Sequence, residues 1–141
     1  YSSEDEANRR PGGDVIFAEP ALAFGLSQAR VAPTFLYRFG YVAEGQRKKD
    51  VGAVHASDVV FQFGNLASDA TAADRAAAKL IGDYWTNFAK AGDPNGSGLP
   101  VWSRLDPAAP QLLSIGIAAN AMAPAGSPAL AAIAAARDGK K

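Results

Sequence analysis

Cysteine is absent from the 141 residues, which excludes disulfides and thiolate metal sites within the chain and leaves its redox compartment open. An excess of charge of either sign is also missing. Fourteen basic and fourteen acidic residues balance to a formal net charge of zero, so no long-range field draws the chain to phosphate backbones or anionic lipid. Neither nucleic acid nor a membrane surface is expected as a partner. No run approaches the roughly 18 consecutive apolar residues of a membrane span, and the acidic opening Tyr1-Ser-Ser-Glu-Asp-Glu is the opposite of a signal peptide. The chain starts at Tyr1 and its one methionine is Met122. Translation is therefore not expected to begin here, and processing, engineering or cleavage of a longer protein would leave the fold incomplete in this chain. Histidine occurs once, as His55.

What is present describes a water-soluble globular chain: 48% hydrophobic and 20% charged residues, enough for one domain or part of one. Residues 1–13 are charged, then turn-like, and read as a flexible lead-in. Asp14 is placed to cap a helix running to about Arg30, with Pro20 near its first turns and Phe17, Ala21 and Phe24 on one side. Residues 33–42 are rich in aromatic and β-branched side chains and predict a buried strand. Residues 43–57 show neither periodicity and predict a long loop bearing His55. Asp58 to Phe63 suits a short helical turn with Val59, Val60 and Phe63 inward, closed by Gly64.

From Thr71 to Ala91 apolar residues recur every three or four positions, Trp85 and Phe88 among them, which predicts an amphipathic helix with both aromatics in the core. Gly92 and the turn Asp93-Pro94-Asn95-Gly96 end it. Residues 111–117 predict a second strand. Ser127, Pro128 and Gly139 outline a terminal helix expected to pack on the sheet, with dimerisation as the alternative. Two apolar strands do not make an open α/β sheet, so they are expected to be the edge of a larger one supplied by another chain or by missing sequence.

The block Gly52-Ala53-Val54-His55-Ala56-Ser57-Asp58-Val59-Val60-Phe61-Gln62-Phe63-Gly64 resembles the histidine block of type-B carboxylesterases, the family of cholinesterases, liver carboxylesterases and bacterial para-nitrobenzyl esterases. Trp85-Thr86-Asn87-Phe88-Ala89-Lys90-Ala91-Gly92-Asp93-Pro94-Asn95 is similar to the helix and turn that follow there, and Leu99-Pro100-Val101-Trp102 to the next element. The order and spacing agree from about Asp14 to Ile117. Departures are small: Ala91 stands where threonine is common, and Ser103-Arg104-Leu105 replaces a more usual proline and tyrosine. The resemblance implies an α/β-hydrolase of which residues 1–141 form the C-terminal part, edge strands of the central sheet plus packing helices.

It also implies a serine ester hydrolase in which His55 is the triad base, acting on a small-molecule ester without metal or organic cofactor. A serine hydroxyl needs such a base, and the base needs a carboxylate behind it. The fold's chain order is serine, acid, histidine, with serine in a Gly-x-Ser-x-Gly elbow. No such elbow exists here: Gly25-Leu26-Ser27-Gln28-Ala29 lacks the second glycine, and Gly96-Ser97-Gly98 has the wrong spacing. Among the carboxylates, Glu19 lies on the first helix, Glu44 and Asp50 share the histidine loop, and the family's acid would precede Tyr1. The serine, the acid and the oxyanion hole are therefore expected from an N-terminal remainder of the same esterase.

A single histidine in a soluble domain is ordinarily a surface or packing residue, and only its block lifts His55 above that. Asp58 is read as the cap of the short helix, with orienting the loop as its alternative. Arg47-Lys48-Lys49 is read as a solvated loop tip before a site that steers anions. Tyr37, Phe39, Val54 and Phe61 line a pocket or simply pack. Two rivals remain, a non-catalytic cholinesterase-like adhesion domain and a stand-alone binding domain.

Overall fold

A computed structural model describes residues 11–47, 52–117 and 120–139. The chain divides into two compact units: residues 1–36, 104–112 and 123–141, and residues 37–103 with 113–122. Residues 1–10 of the expected lead-in lie outside the described residues, as do Lys48, Lys49 and Asp50.

In the first unit the chain is helical from 11 to 28, so residues 11–13 belong to the helix and not to the lead-in. Pro11 has the fixed φ that helical geometry requires. Asp14 accordingly lies inside the helical run, not at its cap. The stretch Asp14–Ala18 is π-helical, with Glu19 N–H bonded to the Asp14 carbonyl, and α1 (Glu19–Gln28) follows. Pro20 has no N–H to give back along the helix, and the wider π turns precede it. Phe24, expected on one side with Phe17 and Ala21, is 72% exposed, whereas Glu19 and Gly25 are buried. A Cβ on Gly25 would meet Leu105 Cδ2 at 3.1 Å, so this glycine permits close packing within a helix.

The terminal helix α4 (Pro128–Asp138) starts as expected: Ser127 Oγ accepts from Leu130 N–H at 3.2 Å, with proline in the first turn. It packs against the π-helical stretch and α1. Arg137 at its far end pairs with the buried Glu19 carboxylate.

The second unit begins at β1 (Tyr37–Phe39), far shorter than the strand expected over 33–42. Beyond its last residue one more ladder bond forms, from Gly40 N–H to Ile115 O at 2.7 Å. A short 3₁₀ turn, Glu44–Gln46, opens the loop, and α2 (Val59–Gln62) closes it. Here the expected orientation is reversed: Phe61 is buried, while Val59, Val60 and Phe63 are exposed. A single helical turn can turn only one of these side chains toward β1, and Phe61 sits 5.3 Å from Phe39 and 5.4 Å from Tyr41, centroid to centroid. Gly64 takes the left-handed conformation that ends the turn.

Helix α3 (Ala72–Ala91) is framed by a capping box, Thr71 with Asp74, and by left-handed Gly92. Its buried stripe is Asp74, Ala78, Ile81 and Tyr84. Trp85 and Phe88, expected in the core, are 46% and 44% exposed. Periodicity correctly marks an apolar face, but that face is wider than its cover here. After the helix, Asn95 accepts from Trp102 N–H at 2.7 Å and donates to Trp102 O at 2.9 Å. This holds the Trp102 ring edge-on to Tyr84 and Tyr37, with centroids 5.3 and 5.7 Å away.

The sheet order is β1-β2-β3, with β2 spanning Gln111–Ile115 and β3 Asn120–Pro124. β1 and β2 are parallel, with Tyr37 opposite Leu113 and Phe39 opposite Ile115. Ala125 N–H donates to Pro110 O at 3.0 Å, which sets the residue after β3 beside the residue before β2, as in an antiparallel pair. β3 adds a third strand to the two expected. Its residues, Asn-Ala-Met-Ala-Pro, include no aromatic or β-branched side chain, so pairing with β2 and not local propensity makes it a strand.

Candidate active site

His55 occupies the first position of a turn over residues 55–58 that leads into α2, exposed at His55 and Ala56 and half-buried at Ser57 and Asp58. Ala56 beside it has φ +63°, the one non-glycine residue with positive φ among the described residues. A Cβ in that region costs about 1–2 kcal/mol. The turn is closed by backbone bonds from Ser57 N–H to Val54 O, 3.1 Å, and Val59 N–H to Ala56 O, 3.2 Å.

Asp58 ends the turn and does not cap α2 as expected, since its side chain makes no cap bond. Its Oδ2 instead accepts from the Tyr37 hydroxyl at 2.6 Å and from Gln62 Nε2 at 2.8 Å. Gln62 also donates to the Tyr37 oxygen at 2.9 Å, closing a three-membered ring of bonds. A carboxylate engaged by the strand below it and by the next turn of its own helix is worth more there than at a cap exposed to water. Burial, then the Asp58 carboxylate, push the Tyr37 hydroxyl well above the ordinary tyrosine pKa.

At the other root of the loop Asp74, 2% exposed, plays the same part. Its Oδ1 accepts from the Tyr41 hydroxyl at 2.8 Å and from Glu44 N–H at 3.0 Å, and its Oδ2 from Thr71 N–H at 2.9 Å. Burial alone would raise its pKa; the donors from Thr71, Tyr41 and Glu44 outweigh burial and hold it at about 2. Burial and the bond to Asp74 push Tyr41 up to about 12. Arg47 is exposed, lies over the Tyr41 ring at 5.3 Å and donates to Val42 O at 3.0 Å.

Of the residues that could line a pocket or pack, Tyr37, Phe39 and Phe61 pack through their rings, and Val54 is exposed. Of the carboxylates weighed as triad acid, Glu19 pairs with Arg137 and Glu44 with Arg47. An open groove of about 360 Å³ runs between Gln62, Gly64 and the α3 residues Arg75, Lys79 and Asp83, and His55 does not line it. Among the described residues no group of three or more histidine or carboxylate side chains could hold a metal ion. No helix among them is long and apolar enough to cross a membrane. Asp74 escaped the sequence reading, although Thr71-x-x-Asp74 is a capping-box pattern that could have flagged it.

The model of the carboxylesterase family matches residues 3–129. A pyrethroid hydrolase of Mus musculus is 36% identical over 101 residues, covering 67% of this chain and 18% of that protein. Liver carboxylesterase B-1 of Rattus norvegicus is 35% identical over 115 residues, 74% of this chain and 20% of its own. Among solved structures, a PNB esterase superposes with TM-score 0.66 at 26% identity over 74% of this chain and 22% of that one. The chain thus spans about a fifth of the length of the relatives it matches.

Proposed function

The chain belongs to the carboxylesterase family, and on that footing we propose that it supplies His55 as the general base of a serine ester hydrolase whose serine, acid and oxyanion hole lie in sequence outside these 141 residues. Its small mixed sheet with helices is part of an α/β-hydrolase fold. The observation that carries the reading is the place of His55: exposed at the head of a turn in the segment that follows parallel strand β1, as a triad histidine of this fold would be.

In this reading His55 accepts the serine proton as the hydroxyl attacks the ester carbonyl. It returns that proton to the departing alcohol, then takes one from the water that attacks the acyl-enzyme and gives it to the serine oxygen as the carboxylic acid leaves. A carboxylate from the remainder fixes its tautomer and stabilises the imidazolium. Carboxylic esters are the substrate class. The partner is the N-terminal remainder of the same esterase, and the exposed aromatic rings Phe24, Trp85 and Phe88 support it as apolar surface that such a partner would cover.

The test is hydrolysis of a short-chain nitrophenyl ester by residues 1–141 alone and by the chain joined to its upstream part. Turnover only in the assembled protein is expected. An assembled protein that folds but turns over no ester would favour the adhesion-like alternative.

A further inference from the structure

Tyr37, Phe39 and Tyr41 alternate along β1 and its continuation and so share one face, while Arg38 and Gly40 between them are exposed. The middle ring only packs. The two outer rings end in hydroxyls, and each meets a carboxylate at one root of the loop that carries His55. Tyr37 donates to Asp58, the last residue of the histidine turn. Tyr41 donates to Asp74, which also takes the Glu44 N–H where the loop departs. Neither bond is needed to bury its ring: Tyr37 is already stacked edge-on to Trp102, and Tyr41 to Phe61.

We propose that Tyr37 and Tyr41 are positioning residues for His55, their hydroxyls clamping both roots of the histidine loop through Asp58 and Asp74. This rests on His55 being the base. Ala56, next to the histidine, gains by leaving positive φ, so bonds that anchor the turn at Asp58 add to the backbone bonds that close it. The Tyr37 clamp acts most directly, since Asp58 belongs to the same four-residue turn as His55. The Tyr41 clamp acts on the departing segment and has the smaller effect.

The test uses the assembled esterase carrying Tyr37→Phe or Tyr41→Phe, which remove one hydroxyl and keep the ring. Far below the melting midpoint, Tyr37→Phe should lower kcat about 10- to 100-fold, the scale of a small misplacement of a catalytic group, with KM little changed. Acylation and deacylation rates should fall together, because one base serves both steps. Tyr41→Phe should act in the same direction and less. If Tyr37→Phe fails to fold, Asp58→Asn, which keeps an acceptor for the Tyr37 hydroxyl, should retain more kcat than Asp58→Ala. A lowered melting midpoint with unchanged kcat in Tyr37→Phe, or equal kcat in the two Asp58 variants, overturns the proposal. His55→Ala separates the two levels: if it stays active the base assignment fails, and if it is inactive while Tyr37→Phe keeps its kcat, only the clamp fails.

Discussion

The Tyr41 hydroxyl donates to Asp74 Oδ1 at 2.8 Å, joining the residue that leaves β1 to the first turn of α3. With Glu44 and Thr71 N–H groups on the same carboxylate, Asp74 ties the start of α3 to the segment where the histidine loop departs.

Its titration predicts a pH dependence. The folded pKa of Asp74, about 2, lies below the ordinary carboxylate value, so its charge contributes stability fully above roughly pH 4 and loses it as pH falls toward 2. Tyr41, raised to about 12, contributes below about pH 10 and loses this as pH rises through 12. Asp74→Asn should therefore be less stable than the parent at pH 6 in denaturant melts of the assembled protein. That gap should narrow by pH 2.5, and a constant gap would contradict the network.

Asn95 grips both backbone polar groups of Trp102. Asn95→Ala leaves them without their partner and should cost about 2 kcal/mol in urea unfolding. A loss under about 0.5 kcal/mol would show that water replaces the side chain without penalty.

The two glycines around that turn should respond differently. Gly92 has φ +70° and open space where a Cβ would go, so Gly92→Ala should cost about 1 kcal/mol from backbone strain alone. At Gly96 a Cβ would stand 2.6 Å from Asn87 Nδ2, which is itself bonded to Pro94 O at 3.2 Å. Gly96→Ala should therefore displace that amide, and a crystal structure of the variant with Asn87 unmoved would refute this.

Much of the fold was legible where its signals are local. Thr71, Gly92, Ser127 and Gly64 mark their helix ends because a cap or a left-handed residue is determined within one turn. β3 was not legible: its pairing with β2 decides it, and its own residues say little. Nor was the role of Asp58, since its bond to Tyr37 spans 21 residues and a carboxylate ahead of a helix reads locally as a cap. The apolar face of α3 was visible in its spacing, but spacing cannot show what covers Trp85 and Phe88.

That cover yields a further expectation. If an upstream part of the esterase packs on this face, Trp85 should become protected on assembly. Hydroxyl-radical footprinting read by mass spectrometry should show its oxidation fall severalfold between the isolated chain and the assembled protein. Equal oxidation in both would mean that this face stays open to water.

The proposed chemistry depends on His55 acting as the base. Steady-state hydrolysis of a short-chain nitrophenyl ester by the assembled protein and its His55→Ala variant tests it most directly. A fall in kcat of about 10⁴-fold or more with the fold intact is expected. A folded His55→Ala variant that keeps nearly full activity would contradict it.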